Sequence, residues 1–433
     1  MIEFESYEDL EFRDAEEIRS TQNSLLRQHA CYCAENSPYY RELFQRNDVD
    51  PNRITVDNLT EVPLTSKDAL GRRNGDFMAV RMEEIVDVVF SSGTTGNPTQ
   101  VAYTENDLER LAHNEFQSFR AAGITKSDRV LLTCTMDRCF VAGLAYFLGT
   151  RRLGAAAIRN GHGTMETHTE TIRRVEPTVA IGVPSFLRKL GRHMDGAGEP
   201  PAQSSVDRLL CIGEPLRDEE MKLLPVGQQL EELWDASLHS TYASTETVST
   251  FCECTAQNGG HLHPELAVVE LVNENGIRVS PGEQGEVVLT PLGTEGMPLV
   301  RFRTGDISFM IDEPCECGRR SVRLGPILAR RQQMIKLKGT TIYPRSIERA
   351  LSGIGEVEEY YLEVTSDGDL SDRVSVHVAV EDGGCTEEYV AENLRTRLRV
   401  RPRVVIEPLE EIQKQVFSPE YRKPMRFLDR RQG

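Results

Sequence analysis

Three places in this 433-residue chain gather side chains of types that do chemistry rather than fill a core. The first is the run Ser91, Ser92, Gly93, Thr94, Thr95, Gly96, Asn97, Pro98 and Thr99, which follows the strand-like segment Val86–Phe90. Its glycines permit close backbone approach, and successive N–H groups in such a turn form an anion nest suited to a polyphosphate. No lysine stands at the Walker A spacing, so it is not that loop; the plainer alternative is a Ser/Thr/Gly-rich surface turn. The second is Thr245-Glu246, a hydroxyl beside a carboxylate, both oxygen donors of the kind that can serve a metal site. Read alone, the pair is equally a helix N-terminus. The third is Cys315-Glu316-Cys317 with Cys254 and His261 some sixty residues earlier. Three thiols and one imidazole suit tetrahedral Zn²⁺, and with all four positions taken by protein the metal is structural. Cys252 and His263 compete for one of those positions, and buried free cysteines are the alternative.

These groups need elements to hold them. Residues 13–46 read as helix, restarting at Ser37 and Pro38 as an N-cap and first-turn pair. From about residue 85, short apolar runs (VDVVF, DRVLLTCT, TVAIGV, DRLLCIG) alternate with helical stretches such as FVAGLAYFLGTRRLG and SFLRKLGRHM, the rhythm of parallel strands joined by crossover helices. Beyond Glu265 the runs LAVVELV, GEVVLTPL, PLVRFRTGD and ISFMID are separated by Gly and Pro turns without helices, which predicts an antiparallel unit or small barrel. From about residue 330 the order becomes strand, helix, strand, strand, helix, strand. The expected fold class is therefore α/β: a large N-terminal domain over residues 1–328, with doubly wound, mostly parallel sheets plus a small antiparallel β unit, and a small C-terminal α+β domain over 329–433.

Composition narrows the partners. A formal charge of −18 opposes binding to nucleic acid or anionic membrane, so phosphate-bearing ligands must be held locally. The acidic start lacks the basic residues and apolar run of a signal peptide, and no stretch reaches about 18 uninterrupted apolar residues, so the expected location is cytoplasmic. Ten scattered cysteines in a chain this long do not resemble a disulfide scaffold.

The Ser91–Thr99 string, followed by Val101, Tyr103 and Thr104, resembles the signature loop of the adenylate-forming superfamily in the form seen in phenylacetate–CoA ligases, which grips the β- and γ-phosphates of ATP. Asn97 stands where relatives commonly carry lysine. Other motifs of that family follow in order. Gly213-Glu214-Pro215 resembles the turn that lines the adenine site. Tyr242-Ala243-Ser244-Thr245-Glu246 resembles a motif whose aromatic packs on adenine, whose hydroxyl meets phosphate and whose glutamate holds Mg²⁺, with Ala243 replacing a glycine. Arg301–Asp306 resembles the motif whose aspartate accepts hydrogen bonds from ribose. Residues 329–339 resemble the segment entering the C-terminal domain: Arg330 takes the nucleotide-contacting place, while Gln332 and Gln333 replace two aspartates, the first a hinge. Residues 422–431 resemble the family's ending and place Lys423 at the lysine that touches substrate carboxylate and α-phosphate; Arg422 replaces a glycine. Relatives with a structural zinc carry cysteines and histidine at spacings that Cys254, His261, Cys315 and Cys317 fit.

The resemblance implies ATP-dependent activation of a carboxylic acid, aromatic by family preference, to its acyl-AMP with Mg²⁺, then thioester formation with coenzyme A under a mobile C-terminal lid. It leaves open transfer to a carrier-protein phosphopantetheine, an enzyme that stops at the adenylate, and a non-catalytic adenylate-binding protein. It also makes a homodimer an option.

Overall fold

The computed structural model describes residues 4–91, 99–161, 163–337, 340–366, 372–380, 385–417 and 424–431. The chain divides into two compact units, Met1–Ile327 and Leu328–Gly433.

The first unit opens with helices α1 (Ala15–Asn36) and α2 (Pro38–Arg46). Ser37 separates them: its N–H closes α1 on Cys33, and its side chain caps α2 by accepting from the Tyr40 N–H. Their apolar faces, including Leu25, Tyr40 and Phe44, are buried. Helix α3 (Lys67–Arg72) follows, then strands β1 (Asp87–Phe90) and β2 (Gln100–Tyr103). Here the structure differs from the sequence expectation: the VDVVF run does not join a parallel sheet but pairs antiparallel with β2, Phe90 opposite Gln100. This hairpin brackets the Ser/Thr/Gly loop, whose base is closed by Ser91 N–H to Thr99 O at 2.9 Å and Thr99 N–H to Ser91 Oγ at 3.1 Å.

The wound core follows in chain order: α4 (Glu105–Ala121), β3 (Arg129–Leu132), α5 (Val141–Leu153), β4 (Ala156–Arg159), α6 (Met165–Val175), β5 (Val179–Gly182), α7 (Pro184–Gly196), β6 (Arg208–Ile212), α8 (Pro225–Trp234) and β7 (Ser237–Ser244). The strands lie parallel in the order β4-β3-β5-β6-β7. Both faces are apolar because both are covered. On one, Leu131, Ala180 and Leu209 pack with Leu187 and Trp234; on the other, Val130, Val179 and Leu210 pack with Phe119 and Tyr146.

The sheet continues antiparallel through β8 (Ser249–Glu253) and β9 (Gly260–His261). Strands β10 (Ala267–Val272), β11 (Gly285–Pro291) and β12 (Phe302–Ser308) form a separate antiparallel arrangement, packed on α1 and α2 through Val268 and Phe302. The ISFMID run splits: Ile307 and Ser308 end β12 beside β11, and the rest leaves. Its strand β13 (Met310–Ile311) pairs with β14 (Arg323–Leu324), which pairs with β9 at the edge of the large sheet, carrying the chain across to His261.

The second unit begins with β15 (Ala329–Arg330), then β16 (Ile335–Leu337) paired with β17 (Thr340–Ile342), α9 (Pro344–Ser352), β18 (Val357–Ser366), β19 (Asp372–Val380), α10 (Glu387–Leu398), β20 (Arg403–Ile406), α11 (Leu409–Val416) and β21 (Phe427–Asp429). Its sheet order is β20-β19-β18-β21, with α9 and α10 burying Ile347, Leu351, Val390 and Leu394 against it. No described helix is long and apolar enough to cross a membrane.

Candidate functional site

In a parallel sheet the C-terminal ends of the strands share one edge, and ligands gather there. Strand β6 ends at Ile212, paired in register with Thr241 of β7, so the Gly213-Glu214-Pro215 turn leaves beside Tyr242. Gly213 turns the chain at φ +75°, a conformation that suits glycine. Glu214 then reaches the start of α7, where its carboxylate accepts from the Ser185 N–H at 2.9 Å and from Ser185 Oγ at 2.8 Å.

Tyr242 faces the antiparallel β unit. Its Oη donates to Oδ2 of Asp306 at 2.8 Å, joining two motifs 64 residues apart. Asp306 is 6% exposed, and its own N–H is held by Thr304 Oγ1 at 3.1 Å. The neighbouring arginines serve the scaffold instead: Arg301 makes a two-point buried pair with Glu270 at 2.9 and 3.1 Å, and Arg303 pairs with Glu286.

The four residues 245–248 connect β7 to β8, whose last pair is Ser244 opposite Ser249. The Thr245 carbonyl accepts from Tyr103 Oη at 2.9 Å. Glu246 is buried, with Lys67 Nζ 2.7 Å from Oε1 and Ser244 Oγ donating to Oε2 at 3.1 Å. Burial alone would push this carboxyl up, but the Lys67 charge and the hydrogen bonds outweigh it and hold the group below its usual value. It is therefore an ionised oxygen donor, the chemistry a divalent cation beside phosphate requires. Lys67 is the residue the sequence reading misses. A signal was present: Ser66 caps α3 and Lys67 stands in its first turn, where the helix dipole disfavours a cation.

The cysteine and histidine cluster forms at the sheet edge. Cys254, His261, Cys315 and Cys317 place their ligand atoms all within 4.8 Å of one another, with Cys254 Sγ to Cys315 Sγ at 3.6 Å and Cys317 Sγ to His261 Nε2 at 3.4 Å. Those separations match the edges, about 3.8 Å between thiolates, of a tetrahedron around Zn²⁺. His261 Nδ1 lies 3.1 Å from Ser321 Oγ, which turns Nε2 toward the thiols, and burial pulls its pKa down to about 3, so the ring is a neutral donor. The competitors point elsewhere: His263 lies against Ser118 and Glu11, and Cys252 against Thr241 and the Glu253 carbonyl.

Of the remaining sequence candidates, Arg330 closes β15 in the second unit and is half-buried. Ser92, Gly93, Thr94, Thr95, Gly96 and Lys423 lie outside the described residues.

Comparison with known proteins accords with this arrangement. The AMP-binding enzyme family matches residues 13–293, and the AMP-binding enzyme C-terminal domain matches residues 339–431. The chain is 31% identical to the phenylacetate-coenzyme A ligase of Thermus thermophilus over 381 residues, 86% of this chain and 84% of that protein. It is 28% identical to the phenylacetate-coenzyme A ligase of Escherichia coli (strain K12) over 417 residues, 92% of each. Among solved structures it shares the fold of 2-hydroxyisobutyryl-CoA ligase, with a TM-score of 0.84 at 21% identity over 98% of this chain and 92% of that one. Two family matches in series and a relative at 31% identity over most of its length place the chain among the AMP-binding enzymes, in the phenylacetate–coenzyme A ligase family, as an AMP-forming acid–thiol ligase.

Proposed function

We propose that the chain activates an aromatic carboxylic acid as its acyl-AMP and passes the acyl group to coenzyme A. The observation that supports this reading is the Tyr242–Asp306 hydrogen bond at 2.8 Å, which joins the two side chains read as the adenine-facing aromatic and the ribose acceptor. The aromatic acid and the acceptor thiol are supported by the phenylacetate-coenzyme A ligases to which the chain is similar.

In this mechanism the Ser91–Gly96 loop cradles the β- and γ-phosphates with its N–H groups. Tyr242 offers its ring face to adenine, beside the Gly213–Pro215 turn, and Asp306 accepts from the ribose hydroxyls. Glu246 is the carboxylate that would hold Mg²⁺, which when bound neutralises charge building on the phosphates. Thr245 presents its hydroxyl to phosphate. Lys423 brings the acid's carboxylate against the α-phosphate and stabilises the attack, and Arg330 is the nucleotide-contacting arginine. Oxygen of the carboxylate bonds to the α-phosphorus as the bond to pyrophosphate breaks; the thiol then gives up its proton, its sulfur bonds to the acyl carbon, and AMP leaves. The resemblance assigns the C-terminal domain, residues 329–433, as the mobile lid between the two steps. Cys254, His261, Cys315 and Cys317 would hold a structural Zn²⁺, which when bound would tie the loop before β14 to β9.

Pyrophosphate release screened across aryl and fatty acids, followed by addition of CoA and detection of thioester by mass, tests the reading. Release with aryl acids and a CoA thioester is the expected result. Turnover without CoA consumption points instead to a carrier protein or to an adenylate end product, and no acid-dependent release at all overturns catalysis.

A further inference from the structure

The turn that carries Thr245 and Glu246 is held in a conformation its own residues do not favour. Val248 ends it at φ +49°, the left-handed region that a β-branched residue rarely enters. Thr247, one residue earlier, is fully buried, and its hydroxyl has no hydrogen-bond partner among the described residues. Such features persist only where the surroundings over-determine them, and they gather at sites of function.

Three contacts from elsewhere impose the conformation. The Val248 side chain is buried with Val89, Val101, Tyr103 and Leu111, tying it to the β1–β2 hairpin and to α4. Tyr103, the last residue of β2, donates from its Oη to the Thr245 carbonyl at 2.9 Å. Arg110 of α4, with no exposed surface, donates from Nη1 to the Val248 carbonyl, from Nη2 to the Leu266 carbonyl and from Nε to the Leu292 carbonyl at 2.7 Å. The two gripped carbonyls are those of the first and last residues of the turn, and Glu246 lies between them.

The choice of arginine at position 110 carries information. Its closest hydrogen bonds go to backbone carbonyls; burial, the larger effect, pulls its pKa down to about 10, while Asp107 and Glu265 support its charge through space. For packing alone, an apolar side chain of similar volume is often as stable as a buried charge. What an apolar residue cannot do is fix the carbonyl at the end of the turn relative to β10 and β11. The tyrosine adds a second constraint, because β2 is the strand that leaves the phosphate loop. Its hydroxyl therefore sets the distance between that loop's exit and the Glu246 turn.

We propose that Tyr103 and Arg110 are positioning residues: by gripping the two ends of the 245–248 turn they place Glu246 at the height at which metal-bound ATP meets it. The proposal rests on the reading of Glu246 as the metal-facing carboxylate.

The decisive experiment measures ATP binding by calorimetry over a Mg²⁺ series for the wild type, Tyr103→Phe, Arg110→Lys and Glu246→Gln. The two half-reactions, pyrophosphate release and thioester formation from supplied acyl-AMP, are followed in parallel. Tyr103→Phe removes one hydroxyl and keeps the ring, so it retains the fold if Arg110→Lys does not. Losing one hydrogen bond predicts that half-maximal ATP binding needs about three- to tenfold more Mg²⁺. Thioester formation from supplied acyl-AMP stays within about twofold, because that step no longer involves the β- and γ-phosphates. Arg110→Lys, which keeps the charge and loses the fork, shifts the Mg²⁺ requirement in the same direction. A Tyr103→Phe protein with an unchanged Mg²⁺ requirement, or one whose two half-reactions fall by the same factor, overturns the proposal provided Glu246→Gln does shift that requirement. If Glu246→Gln leaves it unchanged, the reading of Glu246 fails first and takes the proposal with it.

Discussion

Tyr242 Oη donates a hydrogen bond to Asp306 Oδ2 at 2.8 Å, so the aromatic and the carboxylate of two distant motifs form one unit. A hydrogen bond to a charged group is worth about 1.5–3 kcal/mol. Tyr242→Phe keeps the ring face and loses the bond; it should raise the KM for ATP about tenfold with kcat little changed. Asp306→Asn should cost more, about a hundredfold in kcat/KM, because the acceptor for ribose is lost as well. Pyrophosphate exchange against ATP concentration measures both, and a larger effect from Tyr242→Phe would invert the assigned roles.

Lys67 holds Glu246 ionised in a buried place. The folded pKa lies below that of an ordinary glutamate, so this carboxylate contributes stability above the ordinary value and loses it as pH falls through the folded value. In Lys67→Met, burial acts without its main opponent and the pKa rises. The acid limb of the adenylation profile should move up by about one pH unit or more. An unmoved limb would mean that Glu246 does not govern it.

Glu115 is buried on α4, accepting from Thr250 Oγ1 at 2.7 Å and from Asn114 Nδ2 at 3.1 Å. Burial outweighs those bonds and raises it from 4.5 to about 7. With the folded pKa above the unfolded one, the folded state keeps a proton that the unfolded chain sheds, so stability present below 4.5 drains away as pH rises to about 7. Glu115→Gln removes that dependence. Denaturant unfolding at about pH 5 and about pH 8 should show the pH-dependent loss shrink by about 2–3 kcal/mol.

The Cys254, His261, Cys315 and Cys317 cluster predicts one Zn²⁺ per chain by elemental analysis. Cys315→Ser should lose the metal and lower the thermal midpoint by several degrees, since the staple joins segments far apart in the chain. Purified protein without zinc would refute the assignment.

Lys423→Ala should lose adenylation while leaving thioester formation from a supplied acyl-AMP largely intact. Rates of the two half-reactions decide it: an equal loss in both removes the lysine from its assigned step.

Much of this molecule is legible in the sequence because its signals are local. Periodicity and turn residues mark α1, α2, α5 and α7 and the strands β3, β5, β6, β10, β11 and β12, and the run of short motifs from Ser91 to Arg431 identifies the family without any structure. Partnership across the fold is another matter. VDVVF reads as one more parallel strand, since an apolar run does not state its neighbour's direction; only the closure of the loop after it turns it into a hairpin with β2. The second half of ISFMID, from Met310, leaves for the edge of the large sheet for the same reason, while Ile307 and Ser308 stay in β12. Lys67 meets Glu246, and Tyr103 and Arg110 meet the ends of the 245–248 turn, over sequence separations at which no local pattern signals contact. The sequence by itself determines which chemical groups the protein owns, because motif identity is a property of neighbouring residues. The tertiary structure alone decides which charges stay ionised, which carbonyls are gripped and which thiols converge, because burial and distance exist only once the chain is folded.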